Sequence, residues 1–98
     1  MKITVIGEEI IFVNDEARTL EYAVTSVAVS NMTHYGIRVR IGNGAAFTEC
    51  SILPDLTTRR DEINSFASLL RRCRVTPISL KYIAQDHLPL SQLSTVNC

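Results

Sequence analysis

The chain has 98 residues, 46% of them hydrophobic and 20% charged, and ten Lys and Arg balance ten Asp and Glu for a formal net charge of zero. That length suits one domain, and the apolar content excludes disordered, collagenous and low-complexity classes. A neutral chain has no global field drawing it to nucleic acid or to an anionic membrane.

Ile3, Val5 and the run Ile10-Ile11-Phe12-Val13 predict strand on either side of Gly7-Glu8-Glu9, because β-branched and aromatic residues fit a pleated surface. The two runs form either a hairpin or one bent strand with a bulge at Gly7. Asn14-Asp15-Glu16 reads as a turn. Leu20–Val29 is apolar on both alternating faces, as a central strand is. Asn31–His34 is polar enough to connect it to the next strand. Tyr35, Ile37, Val39 and Ile41 alternate strictly with Gly36, Arg38 and Arg40, which predicts one buried and one wet face. Gly42-Asn43-Gly44 signals a hairpin. Residues 45–53 return as its partner, with a bulge, and Pro54 is expected to end the ladder.

Two helices are predicted next. Thr58-Arg59-Arg60-Asp61 resembles a capping box, and Ile63, Phe66, Ala67, Leu70 and Cys73 fall on one helical stripe. Thr76 and Pro77 have the chemistry of an N-cap and first helical residue. Leu80, Ile83 and Ala84 supply the second stripe, ending at His87 or Leu88, and Pro89 stops it. Only Arg74 and Val75 would separate the helices. The expected architecture is α+β: an antiparallel meander of four or five strands, then two helices packed on one sheet face. Residues 1–89 form the domain and 90–98 a flexible tail.

The strand Tyr35-Gly36-Ile37, the helix at 59–73, and Val75-Thr76-Pro77-Ile78-Ser79-Leu80 through Asp86-His87-Leu88 resemble a family of short bacterial proteins of unknown function, found mainly in anaerobic Gram-positive bacteria. The resemblance covers roughly residues 20–88. The family usually has His two residues after the Pro, where this chain has Ser79. The resemblance implies fold and class, and no activity, cofactor or site.

Catalytic and metal chemistry find little support. Cys50, Cys73, Cys98, His34 and His87 show no CxxC, HxxxH or HExxH spacing, the spacings that fix two metal ligands on one element. A thiol nucleophile needs a base, and Cys50 with His34 lacks a third orienting group. Glu8-Glu9, Asp15-Glu16 and Asp61-Glu62 are adjacent in sequence, so each pair points apart. Gly42-Asn43-Gly44 precedes a strand and is no phosphate loop. No catalytic, cofactor-binding or metal-ligating residue is assigned, and the chain is not read as an enzyme. The odd cysteine count suggests three thiols in a reducing cytoplasm. Glu8 and Glu9 break the N-terminal apolar run before it reaches signal-peptide length, and no run approaches a membrane span.

Interaction is the expected role. The sheet side away from the helices would carry Glu21, Arg38, Arg40 and Glu49 beside the apolar Ala23, Val27 and Val29. An apolar centre rimmed by charge is the anatomy of a protein contact. Val27 and Val29 would form the centre; Arg38 and Arg40 would form the rim, paired with Glu21 or Glu49. A second copy is the simplest partner. The alternative is a nucleic-acid contact through Arg71, Arg72 and Arg74, with Arg59, Arg60 and Lys81 nearby, as a basic corner between helices.

Overall fold

The structure, a computed structural model, describes residues 1–44 and 46–87. Strands β1 (Lys2–Val13), β2 (Glu16–Val29), β3 (Met32–Gly42) and β4 (Phe47–Thr57) form one antiparallel sheet in the order β1-β2-β3-β4. Helices α1 (Arg60–Arg72) and α2 (Leu80–His87) follow, which gives the expected α+β architecture with four strands. The tail expected at 90–98 and the stop at Pro89 lie outside the described residues.

Backbone chemistry explains the meander. Asn14 and Asp15 both take positive φ, 53° and 66°, and so do Ser30 and Asn31, 49° and 68°. Two-residue turns of this kind match the strand twist. The second turn shows that Met32, Thr33 and His34 belong to β3 and do not form a connection. In β1 the register slips between Val5 and Gly7, so the N-terminal runs form one bent strand.

Pro54 does not end the ladder. β4 is an edge strand and continues to Thr57, with a register shift against β3 between Tyr35 and Ile37. An edge or bulge position tolerates a missing donor. Gly36 accommodates this passage, since a Cβ there would collide with the Leu53 carbonyl and the Pro54 backbone.

One sheet face packs against the helices. Leu20 and Tyr22 of β2, Ile37 and Val39 of β3, and Leu53 and Leu56 of β4 meet Ile63, Phe66, Ala67 and Leu70 of α1 and Leu80 and Ala84 of α2. Tyr35, Ile41 and Ile83 pack at the margin. The α1 stripe stops before Cys73, which is the exposed C-cap. Arg74 then turns the chain with φ 51°, and the next buried residue is Val75. The capping box does not form: Arg59 is the N-cap without a side-chain bond, and its N–H donates to Thr57 Oγ1 at 3.1 Å. Thr76 and Pro77 open a turn, and α2 begins at Leu80.

Tyr22 ties the layers together by donating its hydroxyl proton to the Val75 carbonyl at 3.0 Å. Burial, with help from the Glu9 charge, raises its phenol above the ordinary value. A raised phenol stabilises the fold below its ordinary pKa, near 10, and loses that contribution as pH rises beyond it. Tyr22→Phe should cost about 1–3 kcal/mol by orphaning the carbonyl. Urea titrations at rising pH should also show a shallower alkaline loss of stability in the variant. Identical alkaline slopes for variant and wild type would contradict this role.

Candidate interaction face

Alternation from the buried positions defines the opposite, far face of the sheet. β2 places Glu21, Ala23, Thr25, Val27 and Val29 there. β3 contributes Met32, His34, Gly36, Arg38 and Arg40, each opposite one of these residues. β1 changes parity at its bulge. Ile3 and Val5 face this side before Gly7, and Glu8, Ile10 and Phe12 face it afterwards.

The arginines are not a wet rim. Glu21 Oε1 accepts from Arg38 Nη2 at 2.8 Å and from Arg40 Nε at 2.8 Å. The Glu21 side chain is 7% exposed and that of Arg38 is 13% exposed, so this pair is largely buried, while Arg40 at 28% is half-buried. The Arg40 guanidinium also lies 3.9 Å from the centre of the Phe47 ring, a cation–π distance. Glu49 sits opposite Ile41, and both arginine contacts go to Glu21. Thr25 Oγ1 and Arg38 Nε are buried without a hydrogen-bond partner. Native proteins seldom leave such atoms unmatched.

The apolar part of the face also differs from expectation. Ala23 is fully buried: its methyl sits between Val5 and Arg38, below the level of these larger neighbours. Val27 is half-buried, and Val29 is exposed beside Met32. The main exposed row belongs to β1: Ile3, Val5, Ile10 at 61% and Phe12 at 75%. The sequence hid this row because the bulge at Gly7 moves its members from odd to even positions.

The basic corner is partly used inside the fold. Arg71 Nε donates to Glu9 Oε1 at 2.9 Å and Nη1 donates to the Ile6 carbonyl at 3.4 Å, pinning α1 to the β1 bulge. Arg72 and Arg74 are exposed. The remaining candidates separate. His34 contacts Asp55 Oδ1 at 2.9 Å. Cys50 stands opposite Arg40, six residues along β3 from His34, or about 20 Å at strand rise. Cys50 is disulfide-bonded and Cys73 is a free thiol, so the reading of three thiols is corrected at Cys50. Among the described residues, no three His, Cys, Asp or Glu side chains gather as a metal site, and no helix is long and apolar enough to cross a membrane.

A family model described as "Family of unknown function (DUF6514)" matches residues 1–89. The match takes in β1, which lies outside the stretch that carries the resemblance. No curated protein and no solved structure matches the chain.

Proposed function

The chain belongs to this family of unknown function, and from that premise we propose that it is a non-catalytic module that self-associates, two copies packing far face to far face. The observation that carries this reading is the exposed β1 row of Ile3, Val5, Ile10 and Phe12 beside a buried ionic centre. Water contact with such a row is costly, and large exposed apolar patches mark contact sites. The β1 edge itself is poorly suited to strand pairing, because the bulge and Glu8 interrupt it. The face is the better contact.

Charge supports a second copy as the occupant. Glu8, Glu21 and Arg40 stand in one register row across β1, β2 and β3. The row runs from acidic to basic. A two-fold axis reverses it, so the acidic end of one copy meets the basic end of the other. Glu8 has no partner among the described residues, and two arginines share Glu21.

Ile10→Asp should leave the fold intact, since the side chain is exposed, and should weaken association by at least about tenfold. Circular dichroism would check the fold and light scattering the mass. An associated Ile10→Asp variant would contradict the reading. So would a monomer whose far face becomes exposed when residues 88–98 are deleted, because the face would then belong to its own C-terminal segment.

A further inference from the structure

A second surface feature lies on the helix side of the sheet, away from the proposed contact. A cleft of about 280 Å³ opens where β1 and β2 run past the first turn of α1. Its register is set by Lys2 opposite Ser26 and Ser26 opposite Tyr35, so the three strands supply adjacent side chains. Two cations, Lys2 and Arg60, line it, and no carboxylate does among the described residues. Thr4, Ser26, Tyr35 and Asn64 add hydroxyl and amide groups. None of these six side chains has a hydrogen bond or ion pair with another described residue. Asp61, the nearest acid in sequence to Arg60, is instead paired with Arg59 at 3.4 Å. The wall behind them is apolar, with half-buried Ile6 and Val24 and buried Ile63.

We infer that this cleft binds a small organic carboxylate with a short apolar tail. Specific pockets combine apolar walls with a few convergent polar groups, and their volumes run from roughly 300 to 1,000 Å³. The cleft stands just below the lower edge of that range. The Arg60 guanidinium can take a carboxylate through two parallel N–H bonds, and Lys2 adds a second positive charge from the opposite element. Ile6 and Ile63 bury the tail.

Calorimetric titration of the full chain with hexanoate, hexanol and inorganic phosphate separates the contributions. Hexanoate should bind more tightly than either of the others. Arg60→Gln and Lys2→Gln replace exposed residues, so the fold should survive, and each should weaken hexanoate binding by about tenfold. Light scattering of these variants should still show the associated form, because neither residue lies on the far face. Equal binding of hexanoate and hexanol, tighter binding of phosphate, or hexanoate affinity unchanged in both variants would overturn the inference.

Discussion

Glu21→Ala is expected to destabilise the fold by about 3–5 kcal/mol, the cost of breaking a buried ion pair by removing one partner. The carboxylate sits between two guanidiniums on the sheet face, and deleting it leaves Arg38 buried without its counter-charge. An apolar pair offers the control. Glu21→Leu combined with Arg38→Met should recover most of the loss, since apolar side chains of similar volume often replace buried ion pairs at little cost. Urea midpoints measure both. A loss below about 1 kcal/mol for Glu21→Ala would mean that the cluster behaves as an exposed surface pair and not as a buried centre.

Phe66→Ala should cost a similar amount, about 3–5 kcal/mol. Phe66 belongs to the cluster where α1 meets the sheet, among Leu20, Tyr22, Ile37 and Leu70. Truncation removes apolar area and leaves a cavity that close-packed neighbours only partly refill. The loss is a large share of the roughly 5–15 kcal/mol that holds a small domain together. An unchanged denaturation midpoint would place the Phe66 face of α1 away from the core.

The two variants probe opposite sides of the same sheet, and the sequence exposed those sides unequally. The helix side was legible because its pattern is regular. Tyr35, Ile37, Val39 and Ile41 alternate without interruption, and Ile63, Phe66, Ala67 and Leu70 follow the helical repeat into the core. The far side was less legible because its pattern breaks. The bulge before Gly7 reverses which β1 residues face outward, so no single period links Val5 to Ile10. Arg38 and Arg40 read as wet residues because a lone arginine on a strand usually is. Only the pairing of Glu21 opposite Arg40 and Ala23 opposite Arg38 reveals that one carboxylate serves both. Composition of the basic corner was visible, but not its use: Arg71 and Glu9 are far apart in the chain and meet only when α1 docks on β1. The cleft has the same character, since the fold alone brings Lys2 and Arg60, far apart in the chain, to line one cleft.

The proposed far-face contact is tested most directly by the mass of the protein in solution. Sedimentation equilibrium across a wide concentration range should show two 10.9 kDa chains per particle. The association should change little with added salt, because apolar burial drives it and screened surface charges contribute little. A particle of one chain at every concentration would contradict self-association and leave the far face without its proposed partner.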